Sequence, residues 1–101
     1  MAYTMSKERW KKFTPIERMG NIGSEYGRVL HFRDRSDRML MESALKRTLK
    51  LIDVTVLLED NLARKHELTL LKQAVIENID QVMLQNYFNQ FALLAMRRSK
   101  H

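Results

Sequence analysis

Thr14-Pro15-Ile16-Glu17-Arg18-Met19-Gly20-Asn21-Ile22-Gly23-Ser24-Glu25-Tyr26-Gly27-Arg28-Val29-Leu30-His31-Phe32-Arg33 carries both a start signal and a period. Thr14 can accept from the first free backbone amides, and Pro15 loses nothing at the first helical position. Glu17 can reach back to close a capping box. From there Ile16, Met19, Gly20, Ile22, Gly23, Tyr26, Gly27, Val29 and Leu30 recur at helical spacing and cover about half the circumference. The spacing predicts a helix from Pro15 to about Arg33. Upstream, Ser6 is placed to cap a short turn carrying Trp10 and Phe13.

Downstream, Arg33-Asp34-Arg35-Ser36-Asp37 is a polar break, with Ser36 or Asp37 as the cap of a second helix over 37–59. Leu40, Met41, Ala44, Leu45, Thr48, Leu49, Leu51, Ile52, Thr55 and Val56 fall on one face of it. Val54-Thr55-Val56 is β-branched, but the chain offers no partner strand, and an isolated strand is unstable. A third helix is expected from about Ala63 to Asn78, striped by Leu68, Leu71, Val75 and Ile79. A fourth covers about 81–98, striped by Leu84, Tyr87, Phe88, Phe91, Leu94 and Ala95. If these two were continuous, their stripes would lie roughly 160° apart at 3.6 residues per turn, and only an oligomer covers both sides of one rod. A turn near 78–81 is therefore expected. Short loops favour antiparallel neighbours, hence an all-α, up-and-down four-helix bundle with a short extra N-terminal helical turn. One domain spans 1–101, with 1–5 and 99–101 expected to be flexible.

Composition narrows the class. The chain has 101 residues, 45% hydrophobic and 30% charged, with three Gly, one Pro and no Cys. That excludes collagen-like and wholly disordered chains, and also disulfide scaffolds and thiolate metal sites. No apolar run is long enough to span a membrane, and a cytoplasmic domain with no membrane partner is expected.

Gly20, Gly23 and Gly27 each cost roughly 0.8–1 kcal/mol of helix propensity relative to Ala, so close helix packing is their expected return. A phosphate-cradling loop would need a preceding strand, and none is foreseen. Opposite them, Glu17, Asn21, Ser24, Glu25 and Arg28 make a polar stripe, with Glu25 and Arg28 spaced to pair. Asn21-Ile22-Gly23-Ser24-Glu25-Tyr26-Gly27-Arg28, with Trp10 and Glu17 before it and Leu51-Ile52-Asp53-Val54-Thr55 after it, resembles a family of small uncharacterised prokaryotic helical proteins. These carry an N-I-G-S-E-x-G-R segment and a later L-D-L-T-like stretch; here Ile52 and Val54 replace the usual leucines. The resemblance covers about residues 10–95 and implies a helical fold and no established activity. It also singles out Asn21, Ser24, Glu25, Arg28 and Asp53 as a polar network. Asp53 either pairs with a neighbouring cation or meets Arg28 across the bundle.

The net charge of +6 is lodged entirely in residues 1–50, with 12 Lys/Arg against six Asp/Glu. Lys11, Lys12, Arg33, Arg35, Arg38, Lys46, Arg47 and Lys50 are the candidate phosphate contacts of a nucleic-acid surface, or the base that meets an acidic protein partner. On the fourth helix Val82, Leu93 and Met96 form a second apolar line away from its inner stripe, with Leu70 and Ile76 flanking the third. These are the candidate subunit contacts of a homo-oligomer. His31, His66 and His101 form no metal motif. Arg28 and His31 stand too close for the Arg-then-His pattern of small helical ribonucleases. No catalytic residue, metal or cofactor is expected. The function expected is a non-enzymatic, self-associating interaction module with a basic surface; the alternative is an RNA- or DNA-binding module.

Overall fold

Thr14 caps the helix it was expected to cap. Its side chain accepts from the Glu17 amide at 3.1 Å, and its own amide donates to Glu17 Oε1 at 2.8 Å. A computed structural model of the chain describes residues 7–77 and 81–99, and the backbone alone for residue 92 and residues 95–99. Five helices run in order: α1 Lys7–Lys11, α2 Pro15–Asp34, α3 Arg38–Leu58, α4 Leu62–Glu77 and α5 Gln81–Ser99. No strand occurs among the described residues. The expected turn near 78–81 falls largely on 78–80, outside the described residues. Ser6, the expected cap upstream of Trp10, also lies outside them. Of the ends expected to be flexible, 1–5 and 100–101 lie outside them as well, and Ser99 closes α5.

The reversal after α2 is tight. Ser36 takes the left-handed conformation (φ 58°), its amide donates to Arg33 O, and the Asp37 amide donates to Phe32 O. This pair of bonds ends a helix by satisfying its last carbonyls. Asp37, not Ser36, then caps α3 by accepting from the Leu40 amide at 3.1 Å. Asn61 does the same for α4, accepting from the Arg64 amide at 3.0 Å.

α2 is the central helix. It packs on α3 and α5, α3 also packs on α4, and α1 rests on α3. The start of α2 meets the end of α3, where Met19 and Thr55 line one cavity, and Glu25 reaches back to Arg47. These two helices therefore run antiparallel, and so do α2 and α5, where Gly23 faces Phe88 and Gly27 faces Gln85. The core gathers Trp10, Ile22, Tyr26, Ile52, Leu71 and Phe88 from all five helices. Trp10 is wholly buried; its Nε1 donates to Thr55 Oγ1 at 2.8 Å, and that hydroxyl donates to Leu51 O at 2.7 Å. A buried indole N–H needs such an acceptor, and this one ties α1 to α3.

Candidate functional site

The polar stripe of α2 divides into a buried part and an exposed one. Glu25 is buried; its carboxylate accepts from Arg47 Nε at 3.1 Å and from Arg28 Nη1 at 3.4 Å. Arg47 also donates to Ser43 Oγ at 2.9 Å. One charge-assisted bond of this cluster, Arg47 to Glu25, ties α3 to α2, and such bonds are stronger than neutral ones. The Arg28 and Ser43 bonds stay within their own helices. Asn21 and Ser24 do not join it: their side chains donate to carbonyls of their own helix, Glu17 O at 3.0 Å and Gly20 O at 3.1 Å. Asp53 does not join it either. It stands six residues beyond Arg47, about 9 Å along the axis at 1.5 Å per residue, and pairs with Lys72 of α4 at 2.7 Å.

The three glycines part company. A Cβ on Gly23 would lie 2.6 Å from Phe88 Cβ, so α2 and α5 approach as closely as they do because that atom is missing. Close packing does not extend to the other two. A Cβ on Gly20 would meet nothing within 4 Å, and one on Gly27 would meet only Gln85 Oε1 at 3.9 Å.

Among the basic residues, Arg47 is withdrawn from any phosphate role because its guanidinium serves Glu25 and Ser43 inside the α2–α3 seam. Lys11 pairs with Glu8, Arg33 with Asp34 and Arg38 with Glu42, all at exposed positions where such pairs contribute little. Lys12, Arg35, Lys46 and Lys50 are exposed and have no ion pair among the described residues. His31 and His66 are exposed.

α5 presents two faces. Leu84 and Phe88 are buried, while Val82 is 73% and Leu93 58% exposed. Val82, Asn86, Asn89 and Leu93 follow one another at helical spacing. The Met96 side chain lies outside the described residues. Leu70 and Ile76 of α4 are also exposed. No charged residue occurs from 81 to 96 in a chain that is 30% charged.

One feature had no signal in the sequence. A cavity of about 410 Å³ opens where α2 begins, α3 ends and α4 begins, with Tyr87 and Phe91 of α5 on its wall. The Tyr87 hydroxyl donates to Glu67 of α4. Burial pushes the Tyr87 phenol well above its usual range, and the Glu67 bond and charge push it further. Tyr26 is raised as well, by burial, with the Arg33 charge opposing; its buried hydroxyl has no partner among the described residues. The cavity is assembled from four helices whose contributing residues are far apart in sequence, and no single segment announces it.

Among the described residues no group of His, Asp and Glu is arranged to hold a metal ion, and no helix is long and apolar enough to cross a membrane. Neither the family models nor the curated proteins nor the solved structures compared with the chain match it.

Proposed function

We propose that the chain is a non-enzymatic, self-associating helical module: an up-and-down four-helix bundle of α2–α5, with α1 as an added N-terminal turn and α5 as the contact helix between two copies. The observation that carries this is the outer line of α5, where Val82 and Leu93 stay exposed while Leu84 and Phe88 of the same helix are buried. Its occupant is a second copy of the chain. Two molecules of net charge +6 repel each other, and residues 81–96 of α5, ahead of Arg97 and Arg98, form an uncharged stretch where they can meet. The line is also nearly symmetric, with apolar ends at Val82 and Leu93 and amides at Asn86 and Asn89 between them. A two-fold antiparallel pairing sets Val82 against Leu93 of the other copy and amide against amide, the self-complementary pattern of an isologous interface. The setting proposed is the cytoplasm.

Solution mass by light scattering tests this. The unaltered chain is expected at twice its own mass and Leu93→Glu at the single-chain mass, since the introduced carboxylates would be buried unpaired. An unchanged mass in Leu93→Glu removes α5 from the interface.

A second reading is favoured by the exposed, carboxylate-free Lys12, Arg35, Lys46 and Lys50: a surface for nucleic-acid phosphates or for an acidic protein. Binding to mixed RNA or DNA should then weaken by roughly 0.7–0.9 log units per contact for each tenfold rise in salt. Absence of binding at about 50 mM salt, where phosphate contacts are strong, ends the nucleic-acid reading.

A further inference from the structure

Glu59, the cap that follows the last residue of α3, lies at the wall of the cavity with its side chain only 11% exposed. A carboxylate largely withdrawn from solvent is costly unless it is well served, and this one has a single long ion pair. Its nearest cation is Arg64 Nη1 at 3.6 Å, too long for a hydrogen bond, on a side chain that is itself 65% exposed. The Glu59 amide donates to Val56 O, but no hydrogen bond to its carboxylate occurs among the described residues. Arg18, the other cation at the wall, is already committed, donating to Trp10 O at 3.1 Å and Lys11 O at 3.3 Å. The rest of the wall is mostly apolar or aromatic, with Ile16, Met19, Leu68, Phe91 and the Tyr87 ring. Its two other polar groups are occupied, Thr55 by Trp10 and Leu51, and Glu67 by the Tyr87 hydroxyl. Aromatic faces attract cations, and a volume of about 410 Å³ falls within the usual range of small-molecule sites.

We propose that this cavity binds a primary organic ammonium ion with a small apolar body. The ammonium donates to the Glu59 carboxylate, and the apolar body lies on Met19, Leu68 and Phe91. Arg64 swings toward solvent, which costs little for a side chain already mostly exposed. A carboxylate ligand would face Glu59 and Glu67, while the wall's two arginines offer it little, Arg18 being committed to backbone carbonyls and Arg64 mostly in solvent. A neutral alcohol brings no positive charge to Glu59. The proposal is independent of self-association, since Leu93 is not among the residues that line the cavity.

Hexylammonium, hexanol and hexanoate form the probe set, titrated into the intact chain and followed by calorimetry and by the NMR shifts of Met19, Leu68 and Phe91. Saturable binding of hexylammonium is expected, with hexanol and hexanoate at least about tenfold weaker, as losing a charge-assisted hydrogen bond implies. Glu59→Gln should weaken hexylammonium by a similar factor, and Arg64→Ala, which removes the internal competitor and leaves Glu59 intact, should tighten it. Leu93→Glu should bind as the unaltered chain does. The proposal is overturned if hexanol or hexanoate binds as tightly as hexylammonium, if none of the three saturates, or if a helical Glu59→Gln retains full affinity. Should Glu59→Gln fail to fold, unchanged or weaker binding in Arg64→Ala is enough to overturn it.

Discussion

Glu25 and Glu59 are equally hidden, with side chains 10% and 11% exposed, and they are served quite differently. Glu25 sits at the α2–α3 seam with Arg47 and Arg28 on its two oxygens. Glu59 sits at the other end of α3, beside a cavity, with one distant and mostly solvated arginine. Burial alone therefore does not assign a role to a carboxylate; the number and length of its hydrogen bonds do. The satisfied acid holds two helices together, whereas the under-served one is available to something else. The same division runs through the molecule, because α2 is packed closely on both sides while α4 and α5 keep exposed leucine, isoleucine and valine.

The largest test of that division removes packing from the closed region. Phe88→Ala empties the contact that Gly23 makes possible, and a loss of about 3–5 kcal/mol in unfolding free energy is expected from denaturant titration. A cost below about 1 kcal/mol would show that the α2–α5 seam is not closely packed.

A middle-sized effect compares the two acids directly. Glu25→Gln should cost about 1.5–3 kcal/mol, the range for hydrogen bonds to charged groups. Glu59→Gln should cost no more than about 1 kcal/mol, because its partner is largely in water. Equal costs in thermal or chemical unfolding would erase the contrast.

The smallest effect has opposite signs at two glycines three residues apart. Gly20→Ala should stabilise by roughly 0.4–1 kcal/mol, since the added methyl meets open space and the unfolded chain loses freedom. Gly23→Ala should destabilise by about 1–3 kcal/mol, because Phe88 Cβ must move. Two stabilised variants would mean that the seam yields without cost.

Local signals were legible wherever one segment holds its own partners. The capping box at Thr14 and Glu17, the cap at Asp37 and the Glu25–Arg28 pair are all spaced within one turn, so sequence spacing is nearly physical distance. Arg47 shows the limit. Its charge suggested a solvated phosphate contact, yet it closes on Glu25, 22 residues away, and nothing within α3 reports that. Asp53 was open between a neighbouring cation and Arg28; it pairs with Lys72 of α4, a partner the sequence did not name, because it stands past Arg28 along α3 and toward α4. Gly20, Gly23 and Gly27 are indistinguishable by spacing, and only the position of Phe88 separates them.

Helical class, the caps of α2 and α3 and most of each inward stripe were therefore written in the chain itself, since capping and amphipathic period act over three to seven residues. Leu40 and Leu94, expected on inward faces, are exposed. Which arginine meets which carboxylate, which glycine is pressed by a ring and where a cavity opens were settled only when the helices docked. Those outcomes depend on the register and separation of different rods, quantities that no single stretch of residues contains.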